Sequence, residues 1–320
     1  MGRTPAGSAH LHHPLRIRRV DFLRVRADGP LEAPVAVFEE QRPRLFGLAY
    51  RLLGSAAEAE DMVQETFLRW NQAGPVDVPA AWLTTVLTHL CLNQLASARR
   101  QRESYVGPWL PEPVLTGDGA LGPLETVEQR ESVSLGLLVL LERLTPTERA
   151  VFVLREAFGH SHAEIGKIVG IDEAYSRQLH RRAKAHVGEA RKRFDADREQ
   201  HRHIVERFLA ATLHGDVAGL EELLAADVVA WADGGGSTVA RRPVLGRQRV
   251  LRYVRGLSGR PEAAAVTAAI AEINGEFAVL LRYGGDLRAV MAVEISDGRI
   301  SAVRTMVNPA KLAFAATQLM

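Results

Sequence analysis

Arg177, Gln178 and Arg181 are the residues whose types and spacing point most directly to a chemistry, the hydrogen bonding of base edges. A guanidinium matches the two major-groove acceptors of guanine, and a carboxamide matches the donor–acceptor pair of adenine. All three lie in SHAEIGKIVGIDEAYSRQLHRRAKAHV, residues 161–187. Ala163, Ile165, Ile168 and Val169 give a first helix its apolar face, and Gly170 permits a tight turn with Ile171 packed behind it. Asp172 is placed to cap a second helix. That helix is expected to expose Glu173, Tyr175, Ser176, Arg177, Gln178, His180 and Arg181. One packed face and one polar face is what a groove-reading helix needs. The pattern alone also fits a helical hairpin with a solvated basic face.

Two further clusters could do related chemistry. Asp61, Gln64, Glu65 and Arg69 fall at i, i+3, i+4 and i+8, roughly one face of a helix. An acidic and amide face of this kind suits docking on a basic partner helix, although an ordinary solvated face has the same look. His89 and Asn93 sit one helical turn apart, next to Arg99, Arg100 and Arg102. Holding an unstacked base takes edge hydrogen bonds on a phosphate-binding surface, which His, Asn and an arginine cluster can supply. Trp82 reads as core, and Cys91, amid apolar neighbours, as a small buried hydrophobe.

These residues need elements to position them. Phe38, Leu45, Ala49 and Leu52 mark a helix over 35–53, ended by Gly54 and followed by Ser55, a cap for the next helix over 58–70. Residues 71–79 read as a loop, and 80–101 as a third helix that is apolar along Trp82, Val86, Leu90 and Leu92. The proline- and glycine-rich stretch 107–123 reads as an extended linker. Helix returns over 125–193, broken near Thr145, Gly159 and Gly170. After helices over 198–213 and 216–225 the pattern changes to strands at 226–232, 264–273, 277–283, 287–295 and 300–307. Asn274-Gly275, Gly284-Gly285 and Asp297-Gly298 supply tight hairpins. The expected domains are a loose tail (1–30), a helical bundle (31–105), a linker (106–130), a helix-turn-helix unit (131–196) and an α+β unit (198–320).

Composition bounds the alternatives. A hydrophobic content of 47% is enough for packed cores. A single cysteine leaves no disulfide framework or cysteine-rich zinc site. No apolar run approaches the ~18–20 residues of a membrane span, and the first thirty residues lack a signal-peptide core. The expectation is a cytoplasmic protein with no membrane, metal or cofactor partner. The net charge is only +2, but seven of the residues from Tyr175 to Phe194 are basic against the single acid Glu189.

Three blocks resemble the extracytoplasmic-function (ECF) sigma factors of RNA polymerase. RPRLFGLAYRLLGSAAEAEDMVQETFLRW (42–70) resembles their regions 2.1–2.2, and PAAWLTTVLTHLCLNQLASARRQRE (79–103) their regions 2.3–2.4. LERLTPTERAVFVLREAFGHSHAEIGKIVGI (141–171) resembles the start of region 4. WLPEP (109–113), DGGG (233–236) and NPAKL (308–312) resemble marks of the subgroup that carries a C-terminal SnoaL-like domain. Ser237 stands where that subgroup usually has Lys, and Ala310 where it has Asp. Asn93, Gln94 and Ala96 replace a more usual acidic-and-basic set, which bears on promoter sequence.

The resemblance implies two all-α sigma domains, a region 2 bundle and a region 4 helix-turn-helix, followed by an α+β SnoaL-like cone. It implies promoter DNA and core RNA polymerase, β and β′ subunits, as partners. The −35 element would be read by the helix carrying Arg177. The −10 element would be read by the helix of His89 and Asn93 with the loop 71–79. The face of Asp61 and Glu65 would meet the β′ clamp. The chain would not be an enzyme. Some relatives of the cone are cyclases or isomerases, but one sequence shows no convincing acid–base pair among His214, Trp231, Asp233 and Arg255. A small ligand of this domain therefore stays open. So do two rivals, a ligand-sensing DNA-binding regulator that never meets polymerase and an enzyme fused to a DNA-binding module. For regulation, Asp233, Gly234, Gly235 and Gly236 with Asn308, Pro309, Lys311 and Leu312 are expected to dock on the helical part or on the linker at Trp109, Leu110 and Pro111.

Overall fold

The computed structural model describes residues 32–117, 119, 121, 127–191, 197–236 and 240–320. The tail 1–30, Ser237 and the basic pair Lys192 and Arg193 lie outside the described residues. So do the side chains of Arg99 and Arg100.

Ser55 accepts from the Glu58 amide at 3.1 Å and so separates α1 (Glu32–Leu53) from α2 (Ala56–Gln72). With α3 (Pro79–Glu103) these helices bury Leu45, Leu48, Leu52, Leu83 and Leu87. Pro43 lies inside α1, where burial of the following residues outweighs one lost backbone hydrogen bond. A second helical group follows: α4 (Val127–Glu131), α5 (Leu135–Leu141), α6 (Pro146–Glu156), α7 (His162–Val169) and α8 (Glu173–Arg191). Thr145 with Glu148, and Ser161 with Glu164, form capping boxes that start α6 and α7. Gly170 turns the chain at φ 79°, and Asp172 accepts from the Tyr175 amide at 2.7 Å to open α8.

The two helical groups are not held apart. One continuous core runs from Phe38 to Val187, because α1 packs on α6 and α3 packs on α6 and α7. Nor is the proline-rich stretch a solvated spacer. Leu110 to Val114 are buried as an extended strap between the helices and the C-terminal unit. Proline allows this, since Pro111 and Pro113 bring no amide donor to satisfy. Each remaining amide finds an acceptor outside the strap: Leu110 on Asp233, Glu112 on the Gly54 carbonyl, Val114 on Asn274, Leu115 on Gln318 and Thr116 on the Glu272 carbonyl.

The C-terminal unit runs α9 (Arg198–His214), α10 (Val217–Leu223), β1 (Leu224–Asp233), β2 (Val244–Leu245), α11 (Arg247–Ser258), β3 (Val266–Ile273), β4 (Glu276–Tyr283), β5 (Asp286–Ser296), β6 (Arg299–Met306) and α12 (Pro309–Thr317). The sheet order is β2-β1-β6-β5-β4-β3, antiparallel except for β1 beside β6. All three expected hairpin turns form, each with two residues at positive φ. Asp233–Gly236 is not a tight hairpin turn, because β1 ends at Asp233 and its antiparallel neighbour β2 begins only at Val244. Both faces of the sheet are covered. Val228, Val279, Val293 and Val303 face Phe208 of α9 and Val250 of α11. Ala278, Leu280, Val290 and Met306 face Leu110 of the strap, Leu135 of α5 and Leu312 of α12.

Candidate nucleic-acid interface and interdomain lock

On α8 the side chains of Glu173, Tyr175, Arg177, Gln178 and Arg181 are exposed. Ser176 and His180, expected beside them, are not. Ser176 falls on the packed stripe with Leu179, Ala183 and Val187, is fully buried, and is hydrogen-bonded to His162 Nδ1 at 3.0 Å. His180 is half-buried and bonded to Glu156 at 2.8 Å. The exposed face is therefore narrower than the one read from the sequence, and it keeps the arginines and the carboxamide.

On α2, Asp61, Gln64 and Arg69 are exposed and Glu65 is half-buried, with Arg69 Nε donating to Glu65 at 2.8 Å. On α3, Asn93 is exposed, but His89 Nε2 donates to the Ile168 carbonyl of α7 at 2.6 Å. His89 thus joins the two helical groups and does not stand free for a base. Arg102 is also committed elsewhere. It donates to Glu142 and to the Leu53 carbonyl, and lies 4.0 Å from the Trp109 ring centroid.

Glu142 is the hinge of this contact, for it also takes the guanidinium of Arg149, whose side chain is 2% exposed. Burial alone would raise the Glu142 carboxyl, but Arg149 and Arg102 together outweigh it and hold the group below the usual carboxylate range. Arg149 Nε reaches the Arg51 carbonyl at 3.1 Å, tying α6 to α1.

A second node forms around Asp233, which is fully buried. Its carboxylate accepts from the Leu110 amide at 2.8 Å, from Lys311 Nζ at 2.7 Å and from the Tyr105 hydroxyl. Lys311 Nζ also donates to the Leu110 carbonyl at 2.7 Å and sits 4.2 Å from the Trp109 ring centroid. Burial lowers the Lys311 ammonium, while Asp233 opposes that shift. Asn308 donates to Tyr105 at 2.9 Å and caps α12, which Pro309 begins. Gly235 lies so close that a Cβ there would meet Asn308 Nδ2 at 2.4 Å. Pro111 is buried in the strap, Gly234 is buried, and Gly236 is exposed. The three segments quoted for regulation therefore meet at one carboxylate.

Four residues of the lock escape the sequence reading. Tyr105 links Asp233 to Asn308. Glu112, between the two strap prolines, accepts from Ser55 Oγ at 2.8 Å and the Ala56 amide at 2.8 Å, so the strap itself caps α2. Asn274, in a hairpin turn, donates to the Tyr50 hydroxyl at 2.6 Å and to the Val133 carbonyl at 2.7 Å. Tyr50 in turn donates to the Glu112 carbonyl at 2.5 Å. An acid between prolines was the available signal for Glu112; Asn274 is explained equally well by its turn. Of the liners expected in the C-terminal unit, Trp231 borders a cleft, while His214 and Arg255 are exposed on α9 and α11.

A helix-turn-helix with an exposed polar face, packed on a three-helix bundle in one shared core, places the chain among multi-module transcription factors. Residues 37–101 match the family model Sigma-70 region 2, and residues 134–187 match Sigma-70, region 4. The chain is 38% identical over 288 residues to the ECF RNA polymerase sigma factor SigJ of Mycobacterium tuberculosis, covering 87% of this chain and 92% of that one. It is 33% identical over 284 residues to a chain of the same organism named "Probable ECF RNA polymerase sigma factor SigI", covering 87% and 94%. The crystal structure of M. tuberculosis SigJ superposes with a TM-score of 0.71 at 35% identity, covering 88% of this chain and 98% of that one. The chain belongs to the ECF sigma factors of RNA polymerase. It directs promoter-specific initiation, with core polymerase and promoter DNA as its partners. Among the described residues, no helix is long and apolar enough to cross a membrane.

Proposed function

We propose that this sigma factor is held closed by its own C-terminal domain and opens when it loads onto polymerase in the cytoplasm. The carrying observation is the single core shared by the two helical groups. The −35 and −10 elements are by name about 25 base pairs apart, or roughly 85 Å at 3.4 Å per pair. With α3 joined to α7 by the His89–Ile168 hydrogen bond and α8 packed on α7, α3 and α8 cannot serve elements that far apart at once. The strap and the Asp233 node hold the closed form, because they bind both helical groups to the sheet.

In the open form, Asp61, Gln64, Glu65 and Arg69 dock on a basic segment of the β′ clamp, and region 4 meets the β subunit. Asn93 and the loop 71–79 take the −10 element, with Arg99 and Arg100 on its backbone. Glu173, Tyr175, Arg177, Gln178 and Arg181 face the −35 element. A small molecule is a further partner of this reading, held at the interdomain cleft bordered by Trp231.

The test is transcription with purified core by three forms: the full chain, one ending at Val307, and one ending at Gln200. Loss of α12 removes Lys311 and Leu312 from the lock, so the form ending at Val307 should initiate more than the full chain. The form ending at Gln200 should differ from both, since it bares the strap. Equal output from all three would contradict the proposal.

Base reading makes its own prediction. Arg177 pairs with Glu173 at 2.5 Å on an exposed face, a contact worth about 0.3–0.5 kcal/mol. A bidentate base contact is worth about 1–3 kcal/mol and displaces it. Arg177→Ala should weaken promoter binding by that amount and relax one −35 position. Equal losses on every −35 variant, in binding titrations, would assign Arg177 to a phosphate.

A further inference from the structure

Beside the lock, the interface between sheet and helices opens into a cleft of about 1420 Å³. This is larger than the ~300–1,000 Å³ of common small-ligand sites. Arg143 and His186 come from the helical side, and Arg241, Arg247, Arg299 and Arg304 from the C-terminal unit. Against five arginines the lining has three acids, Asp227, Glu294 and Asp297. Glu294 is taken by Arg304. Among the described residues the other four arginines have no ion-pair partner.

Arg304 is the buried member. Its side chain is 10% exposed, lies 4.8 Å from the Trp231 ring centroid, and among the described residues leaves Nε without a hydrogen-bond partner. Among the described residues, Arg247 Nε is also buried without an acceptor. A buried donor left unmade is costly, so such groups ask for an acceptor that enters from outside. Arg247 begins α11, whose N-cap Gly246 brings no capping side chain, so the positive end of that helix adds to the same region. Arginine forks spread over a wide cleft fit a chain of phosphate oxygens better than one carboxylate.

We propose that this cleft binds a small polyphosphate-bearing molecule, recognised through Arg247, Arg299 and Arg304 and bridged to the helical side by Arg143. The consequence for transcription rests on the reading of the C-terminal domain as a regulator. A ligand that touches both walls favours the closed form, because it binds that form and not the open one. The binding itself does not depend on that reading.

The test is calorimetric titration of the full chain, without polymerase, at fixed ionic strength, using inorganic tripolyphosphate, ATP and adenosine as probes. Tripolyphosphate or ATP should bind one to one, and adenosine should not. ATP tighter than tripolyphosphate would show that the nucleoside is also held; equal affinities would show an inorganic polyphosphate site. Arg247→Ala with Arg299→Ala should weaken binding at least about tenfold, as loss of charge-assisted contacts does. Arg143→Ala, an exposed change on the other wall, should weaken it in the same direction with an unchanged melting curve. Four results would overturn the proposal: no binding of either phosphate probe, equal affinity in the double variant, equal affinity for citrate, or promoter duplex displacing the probe while the double variant loses promoter affinity to the same extent. If the probes bind and closure is unaffected in the transcription comparison of truncated forms, the regulatory reading alone has failed.

Discussion

Asp233→Ala will undock the C-terminal domain from the strap, at a cost to the closed state of about 3–5 kcal/mol. The size follows from what the carboxylate holds. Asp233 is fully buried, and its loss leaves Lys311 without its counter-charge and the Leu110 amide and the Tyr105 hydroxyl without their acceptor. Breaking a buried pair from one side costs far more than the pair is worth, since the remaining charge stays out of water. Asp233→Asn keeps an acceptor but not the charge, and should fall between alanine and wild type. Gly235→Ala should act in the same direction by another route, because its Cβ would meet Asn308 at 2.4 Å on a backbone already at φ 58°. Limited proteolysis and denaturant unfolding will show this as cleavage within residues 105–117 and a new early transition. An unshifted single transition with a protected strap would contradict it.

Glu142→Gln has a comparable expected effect, on the contact between the helical groups. The variant leaves Arg149 buried with a neutral partner and releases Arg102 from its anchor over Trp109. The cost is about 3–5 kcal/mol if the guanidinium stays buried. A pH dependence follows. The folded carboxyl lies below its unfolded value of about 4.3, so its stabilisation is present above that value and is lost as pH falls through the lower folded one. The wild type should therefore lose stability on acidification by more than Glu142→Gln does. Denaturant midpoints at neutral pH and below about pH 4 measure both effects. Equal midpoints at neutral pH would mean that the charge cluster holds nothing together.

The local elements were legible because their signals are local. Ser55, Gly170 and Asp172 act within one turn of their own positions, and the three hairpins each carry their positive-φ pair in sequence. Short β2 and the arginine-rich α11 were not read, since two residues carry no periodicity and Val250, Leu251 and Val254 are a narrow apolar stripe. α12 is legible only through the NPAKL motif at its start. Long-range roles were harder. Nothing in the spacing of His89 or Arg102 says that each is spent across an interface on a partner forty or more residues away in sequence. Ser176 was misplaced because a small polar residue on a packed stripe looks like one on a solvated stripe. The strap reads as a spacer in sequence because proline suits both a solvated extended chain and a buried one without donors. What betrayed it was the apolar pair Trp109 and Leu110 beside acidic Glu112, a sequence that needs partners.

The central claim is that the free chain keeps its two DNA-binding units together and polymerase separates them. Cys91 is buried, so spin labels on Ser97→Cys in α3 and Lys184→Cys in α8 report on these units alone. Pulsed electron resonance on the free chain should give one short, narrow separation. Saturating core polymerase should replace it with a much longer one, and Asp233→Ala should broaden the free distribution towards that longer value. A separation that is the same with and without core, or a broad distribution in the free wild type, would contradict the account.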